Sequence, residues 1–251
     1  MHDIQELREA LCEIGRRVYE RGYVAANAGN LSCRLSDGEV LCTPTMQSKG
    51  FLRPEDLCVV DMEGRQIGGR KRRSSEVLLP LEISKARPDF RSVVHSHPPH
   101  ATAFAIVGEP IPQAVMPEVE VFLGDVPITK YETPGGKKFA ETVLPFVHQT
   151  NVILLANHGV VSYAETPERA YWLTEVLDSY CRVLILTRQL GPLRHLPADK
   201  IEELLDEKRK MGFADPRHAA DFDGDVRGHA TFRHTWGEHG IAQRAFPPPA
   251  D

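Results

Sequence analysis

The chain has 251 residues, 41% of them apolar, and a formal net charge of −5. This length allows one large domain or two small ones, and the apolar content is sufficient for a substantial core. The mildly negative charge gives no sign of nucleic-acid binding. No apolar stretch approaches the roughly 20 residues that a membrane-spanning helix requires. We therefore expect no nucleic-acid partner and no membrane partner.

Cysteine usage bears on the cellular compartment. The five cysteines are odd in number and form no Cys-x-x-Cys pair, which suits reduced thiols better than a disulfide framework. The N-terminus is charged from Asp3 onward, which is not the pattern of a secretory signal peptide. Together these features predict a soluble, cytoplasmic protein.

Helical and extended patterns alternate along the chain. Apolar residues recur at steps of three and four from Ile4 to Val18, which predicts an amphipathic helix that Gly22 ends. Short apolar runs predict strands at 31–35, 39–43, 57–61 and 152–156, and another that runs into His95-Ser96-His97. Further helices are predicted at 74–86, 100–107, 138–147, 166–190 and 199–211, with two extended pieces between residues 114 and 131.

The domain organisation follows from where these patterns stop. The best-defined helix begins after Thr166, a good N-cap, with Pro167 in the first helical position. Beyond Pro216 there is neither a helical nor a strand period. We expect one folded domain over residues 1–215. The tail, residues 216–251, is expected to be extended or disordered, or to form an arm over a neighbouring subunit.

Three histidines at the ends of predicted strands are the strongest chemical signal. His95 and His97 lie two residues apart, so in a strand both imidazoles point to the same face. His158 follows the next apolar strand and precedes Gly159. Three such ligands with one position left open are the arrangement of a catalytic zinc ion. The alternative is that the histidines are hydrogen-bonded core residues.

Two kinds of loop could hold an anion. Ser74-Ser75-Glu76 reads as a helix N-cap, but the same free N–H groups and hydroxyls can bind an anion, and the basic run Arg70–Arg73 precedes them. The segments 28–32 and 43–45 are first of all turn sequences. Their backbone N–H groups could also face a phosphate.

In this order, the segments NAGNLS, TPT, SSE, HSHPPHATAFA and NHGVV, followed by a long helix, resemble the class II aldolase/adducin family. The resemblance covers about residues 5–190 and is closest to zinc-dependent enzymes such as fuculose-phosphate aldolase. It implies an α/β fold of three layers, α/β/α, around a mostly antiparallel sheet. It also implies a homotetramer with active sites between subunits.

The resemblance implies a role for each matching residue. The zinc ligands, or those of another divalent cation, would be His95, His97 and His158. Glu76 would be the catalytic carboxylate and could also ligate the metal when substrate is absent. The residues that would hold the substrate phosphate, or line the same loop, are Asn27, Gly29, Asn30, Thr45, Ser74 and Ser75.

The implied activity is cleavage of a ketose 1-phosphate, of the fuculose- or rhamnulose-phosphate type, to dihydroxyacetone phosphate and a short aldehyde. The same metal site could instead serve 4-epimerisation of a sugar phosphate or decarboxylation of a sugar acid. A third possibility is a non-catalytic binding module like the adducin head domain. Retention of the three histidines and Glu76 argues against that module.

Two positions depart from the family pattern. Met46 follows Thr45 where the sugar-phosphate aldolases have glycine, and its side chain restricts the backbone next to the expected anion. The tyrosine that protonates substrate in fuculose-phosphate aldolase is expected near residue 121, where this chain has none. Glu118 or Glu120 could replace that acid, or could be an ordinary exposed strand residue. Tyr131 is expected to have a structural role.

Overall fold

The computed structural model describes residues 4–213, so the predicted tail lies outside the described residues. In that range the strands are β1 (Asn30–Arg34), β2 (Glu39–Cys42), β3 (Cys58–Asp61), β4 (Gln66–Gly68), β5 (Ser92–Ser96), β6 (Val152–Leu155) and β7 (Gly159–Ala164). The helices are α1 (Ile4–Glu20), α2 (Leu78–Ala86), α3 (Pro99–Val107), α4 (Pro117–Phe122), α5 (Lys137–Glu141), α6 (Pro167–Thr187) and α7 (Ala198–Lys210). Two 3-10 turns, Lys49–Phe51 and Pro54–Asp56, precede β3. Across residues 4–213 no helix is both long enough and apolar enough to cross a bilayer.

The strands form one sheet in the order β4-β3-β2-β1-β5-β7-β6. Every neighbouring pair of these strands is antiparallel, as the sequence predicted for the central sheet. At the centre, β1 lies against β5 with Asn30 opposite His95. On its other side β5 pairs with β7, with Ser96 opposite Val160. This register brings two segments to the same end of β5: the predicted anion loop at residues 28–32, and the turn between β6 and β7.

Helices cover both faces of the sheet. Successive side chains of a strand point to opposite faces, and on β5 they enter different cores. Val94 packs in a cluster with residues of α1 and α6, including Leu11 and Tyr171. Val93 packs in another with α2 and α5, through Leu79 and Phe139. Because each face has its own helical layer, the predicted three-layer α/β/α fold is confirmed.

The helix predicted from Ser74 begins four residues later. Residues 75–77 form a turn, and α2 starts at Leu78. Pro80 explains the shift, because a proline is tolerated only in the first turn of a helix, where no partner for its missing N–H is needed. Starting at Leu78 puts Pro80 in that turn. Ser74 and Glu76 are thereby left in the connection that leads into the helix.

The prediction of two extended pieces between residues 114 and 131 is wrong for the first piece. Residues Pro117–Phe122 form α4, with Pro117 at its start. The valines at 119 and 121 suggested a strand period, yet Val119 and Leu123 lie one helical turn apart and are both buried in one cluster. The second piece forms only an isolated bridge between Ile128 and Leu154.

Other differences concern element lengths and two strands that the sequence did not predict. The helix expected at 138–147 is the short α5, and α6 ends at Thr187 rather than at residue 190. Strand β7 is buried at all six positions, so it has none of the polar alternation that identifies a half-exposed strand. Strand β4 is a three-residue edge strand.

Candidate metal centre

Three imidazoles converge at one end of the sheet. His95 and His97 project from the end of β5, and His158 lies in the turn, residues 156–158, that joins β6 to β7. Because β7 pairs with β5, this turn lies beside the end of β5. The ring centroids of His95 and His97 are 5.0 Å apart, and His158 lies 4.8 Å and 4.9 Å from them. The predicted metal ligands are therefore neighbours in the structure.

The ring nitrogens are arranged for a shared cation. His95 Nδ1 lies 2.9 Å from the carbonyl oxygen of Val160, so Nδ1–H donates to it and Nε2 is the ring nitrogen that faces His97 and Glu76. His97 Nε2 lies 3.3 Å from His95 Nε2. Two nitrogens on one tetrahedral zinc ion lie about 3.4 Å apart when each bond is about 2.05 Å. One ligand atom from each histidine lies within 4.8 Å of the others, so the donor set fits a divalent ion.

Glu76 completes the cluster from the turn before α2. Its Oε2 lies 3.2 Å from His95 Nε2, and its Oε1 lies 3.9 Å from His158 Nε2. Burial raises the pKa of the Glu76 carboxyl, but the hydrogen bond to His95 and the three surrounding imidazoles outweigh burial, so the pKa lies below its ordinary value. An ionised carboxylate beside three imidazoles can ligate a cation or accept a proton.

The imidazoles of His97 and His158 are held in their neutral form. Burial, reinforced by the neighbouring His95 imidazole, lowers the pKa of His97 to about 3 and that of His158 to about 4. Only a neutral imidazole offers a lone pair to a metal. The pocket thus favours the ligating form of these two side chains.

The backbone around the ligands leaves little room for change. A Cβ atom on Gly159 would lie 2.6 Å from His97 Cδ2 and 2.5 Å from the carbonyl oxygen of Ser96, so only glycine fits after His158. The ring of Phe139 lies 5.3 Å from the His158 ring. Nδ1 of His158 is buried and has no hydrogen-bond partner among the described residues. Packing rather than a hydrogen bond therefore orients His158.

Asp178 of α6 holds the start of α3 directly after His97. Its Oδ1 accepts hydrogen bonds from the backbone N–H groups of His100 at 2.8 Å and Ala101 at 3.1 Å. Its Oδ2 lies 2.9 Å from His100 Nδ1. On the other side, the N–H of His97 donates to the carbonyl of Tyr23 at 2.7 Å. These contacts fix the chain on both sides of the His97 side chain.

A chain of contacts links the predicted anion loops to the histidines. Gly29 has φ of +74°, and a Cβ atom there would lie 2.8 Å from the carbonyl oxygen of His95. The Nδ2 atom of Asn27 lies 3.3 Å from Met46 Sδ in the next loop. The N–H of Thr45 donates to the carbonyl of Arg72 at 2.9 Å.

The segment that follows Arg72 closes this chain. The N–H of Ser74 donates to the carbonyl of Thr43 at 3.2 Å, and Ser74 Oγ accepts from the N–H of Glu76 at 3.2 Å. Ser75 is exposed beside them, and Asn30 is buried opposite His95. The six residues predicted to hold an anion therefore lie in three connected segments beside the cluster of histidines, five in loops and Asn30 at the start of β1.

The proposed replacement acids do not belong to the cluster. Glu120 is fully buried in α4, where its carboxylate accepts a hydrogen bond from the N–H of Ala114 at 2.6 Å. Glu118 is exposed on the same short helix. The expectation of a strand in this segment is wrong, because residues Pro117–Phe122 form a helix packed on α6 and α7.

Lys49 is a residue that sequence reasoning missed. Its side chain is 1% exposed, and Nζ donates to the carbonyl oxygens of Asn27 and Gln47, each at 2.9 Å. Burial lowers the pKa of Lys49 to about 8. A single lysine in a polar turn carries no local signal of burial, because lysine is ordinarily exposed.

Comparison with known proteins places this architecture in a family. The family model for the Class II Aldolase and Adducin N-terminal domain matches residues 9–185. A 3-oxo-tetronate 4-phosphate decarboxylase from Haemophilus influenzae is 36% identical over 201 residues, which cover 78% of this chain and 95% of that protein. An L-fuculose phosphate aldolase from Methanococcus vannielii is 35% identical over 178 residues, covering 71% and 94% respectively.

Solved structures agree with the sequence relatives. The crystal structure of YgbL from Klebsiella pneumoniae matches with a TM-score of 0.75 at 34% identity, over 81% of this chain and 100% of that chain. The chain therefore belongs to the class II aldolase and adducin family, as the order of its motifs predicted. Aldolases and decarboxylases are both among its relatives, and this chain is likewise an enzyme.

Proposed function

We propose that this enzyme uses a divalent metal ion, zinc in the first instance, to cleave a carbon–carbon bond in a phosphorylated keto-sugar derivative. The observation that carries the proposal is the convergence of three imidazoles and one carboxylate on a single point. His95, His97 and His158 would hold the ion. When bound, such an ion supplies Lewis-acid stabilisation of negative charge on a substrate oxygen.

Glu76 is the group that moves a proton. Its carboxylate is ionised, partly buried and 3.2 Å from the nearest ligand nitrogen, so it faces the place where the reacting carbon would lie. Breaking the bond leaves an electron pair on the substrate, and the carbon must then take up a proton. Glu76 would pass that proton from solvent to the carbon as a positioned general acid–base group.

The three loops beside the histidines would orient the substrate by its phosphate. Backbone N–H groups and hydroxyls of 27–30, Thr45 and Ser74–Ser75 offer hydrogen bonds to phosphate oxygens. The neighbouring Arg72 and Arg73 add positive potential at the same edge. Holding the phosphate fixes the reacting carbon relative to Glu76, which lowers the entropic part of the barrier.

The leaving group is proposed to be carbon dioxide. Aldol cleavage needs a group that takes a proton from the hydroxyl at the breaking bond, whereas the Glu120 carboxylate of α4 is bonded to the N–H of Ala114 and Glu118 is exposed on the same helix. A carboxylate departs as carbon dioxide with no proton to remove. The activity named for the relative in Haemophilus influenzae, decarboxylation of 3-oxo-tetronate 4-phosphate, supports this choice.

Aldol cleavage of a ketose 1-phosphate, the reaction first expected from the sequence, is the second candidate. It is favoured by the similarity to the L-fuculose phosphate aldolase from Methanococcus vannielii. Both reactions break a carbon–carbon bond next to a carbonyl and leave the electron pair on the part that keeps the carbonyl. They would therefore share the metal and Glu76, and differ in what holds the departing group.

One panel of assays separates the candidates. The metal-loaded protein is incubated with 3-oxo-tetronate 4-phosphate and with L-fuculose 1-phosphate, with and without EDTA. Carbon dioxide from the first substrate assigns decarboxylation, and dihydroxyacetone phosphate from the second assigns aldol cleavage. EDTA should abolish either signal. A protein with stoichiometric metal that turns over neither substrate contradicts the proposed substrate class.

The proposed assembly is a cytoplasmic homotetramer whose active sites lie between subunits. Free thiols at all five cysteines fit a reducing compartment. Light scattering coupled to size-exclusion chromatography measures the assembly, and a mass near that of the monomer, 28.1 kDa, would contradict it.

A further inference from the structure

The ammonium group of Lys49 joins two of the loops beside the metal centre. Its Nζ atom donates to the carbonyl oxygen of Asn27 in one loop and to that of Gln47 in the other, at 2.9 Å each. The two residues are 20 positions apart in the chain but are bridged by one side chain. Because Lys49 is 1% exposed, water competes little for these hydrogen bonds.

Each of those carbonyls follows a residue in an unfavourable backbone conformation. Ala26, directly before Asn27, has φ of +49°, and Met46, directly before Gln47, has φ of +54°. The left-handed region is disfavoured for residues with a Cβ atom. Such conformations persist only where the surroundings enforce them, and they cluster at ligand-binding sites. Lys49 donates a hydrogen bond to the carbonyl oxygen of the residue after each of them.

Lys49 is in turn held in place by α1. A Cβ atom on Gly15 would lie 2.6 Å from the carbonyl oxygen of Lys49, and one on Gly50 would lie 2.5 Å from the ring of Tyr19. The 3-10 turn that contains Lys49 therefore lies directly against the helix. The backbone that carries the Lys49 side chain is therefore held by a helix as well as by the adjoining loop.

We propose that Lys49 is a positioning residue that holds the 26–30 and 45–47 loops in the arrangement that receives the substrate phosphate. This inference rests on the proposed phosphate site. Asn27, Gly29 and Thr45 would contact the anion, whereas Lys49 acts through the backbone beneath them. A lysine that served only the core would affect folding stability and leave phosphate affinity unchanged.

The test uses inorganic phosphate as the probe and the full-length, metal-loaded protein. Calorimetric titration gives the Kd for phosphate of the wild type, of Lys49→Met and of a matched control, Lys85→Met, whose lysine pairs with Glu82 on the exposed side of α2. We expect Lys49→Met to raise the Kd by about tenfold or more, because the loops lose their preorganisation. Metal content should not change, and the control should match the wild type.

Gly15→Ala separates geometry from charge. The added methyl group would displace the turn through the carbonyl of Lys49 while leaving the ammonium in the protein. We expect weaker phosphate binding here too. Unchanged phosphate affinity in a folded, metal-bound Lys49→Met or Gly15→Ala protein overturns the inference. Loss of folding in both variants also overturns it, since Lys49 would then be a core residue. A wild type that binds no phosphate refutes instead the phosphate site of the proposed function.

Discussion

The Nε2 atoms of His95 and His97 face one another at 3.3 Å. Burial keeps the His97 imidazole neutral, and the hydrogen bond from Nδ1 of His95 turns the Nε2 atom of that ring towards the same place. Such an arrangement is unfavourable by itself and becomes favourable with a cation between the two nitrogens. Metal binding at this pair can therefore be tested without knowing the substrate.

Replacing one of the pair should remove the metal. We expect His97→Ala to weaken zinc affinity by more than about 100-fold, since losing even an outer hydrogen-bond partner costs about 10- to 100-fold. Activity should be lost with it. The measurement is metal content after dialysis together with a competitive zinc titration. His148→Ala, which changes an exposed histidine far from the cluster, is the control, and equal zinc affinity in the two variants would contradict the assignment.

Glu76→Gln should separate proton transfer from metal binding. Glutamine keeps the size of the side chain but cannot carry a proton, so we expect kcat to fall by about 10²- to 10⁴-fold. The three histidines should keep the ion. The rate and the metal content are measured on the same preparation, with Glu141→Gln on α5 as a surface control. A near-normal rate in Glu76→Gln would remove Glu76 from the mechanism.

Met46→Gly should stabilise the protein. Met46 has φ of +54° and is 73% exposed, so its side chain gains little from packing while its backbone is strained. Relief of about 1–2 kcal/mol of left-handed strain exceeds the entropic cost of about 0.5–1 kcal/mol for glycine. We expect the free energy of unfolding to rise by about 0.5 kcal/mol in a denaturant titration. Met46→Ala keeps the Cβ atom and should show no gain; equal gains in both would point to the side chain instead.

Asp178→Ala should destabilise the segment that follows His97. The buried carboxylate accepts two backbone N–H groups of α3 and bonds the His100 ring. Losing these bonds leaves buried donors without partners, which costs about 2–4 kcal/mol of unfolding free energy. Zinc affinity should fall as well, because the end of β5 loosens. Asp206→Ala, on the exposed face of α7, should stay within about 0.5 kcal/mol of wild type. If Asp178→Ala unfolds at the same temperature as the wild type, the predicted loss of stability is wrong.

Helices that have a clear periodicity or a capping residue in their own sequence could be predicted from the sequence alone. The period of three and four residues in α1 and the cap at Thr166 both appear in the structure, where Thr166 Oγ1 accepts from the N–H of Arg169 at 3.2 Å. Strand β7 was missed because burial on both faces removes its alternation. At Val119 the local pattern predicts a strand where a helix forms, because two valines two residues apart fit either period over so short a stretch.

The sequence by itself determined the donors of the site: the spacing of His95 and His97 places both on one strand face, and His158 before Gly159 supplies a third imidazole. The family resemblance added Glu76 to these donors. Only the tertiary structure decided which nitrogens face each other, how close Glu76 lies to them, and that a buried lysine links the loops. The physical reason is that side-chain direction along one element is set by local backbone geometry. Contacts between elements depend on strand register and helix packing across the whole sheet.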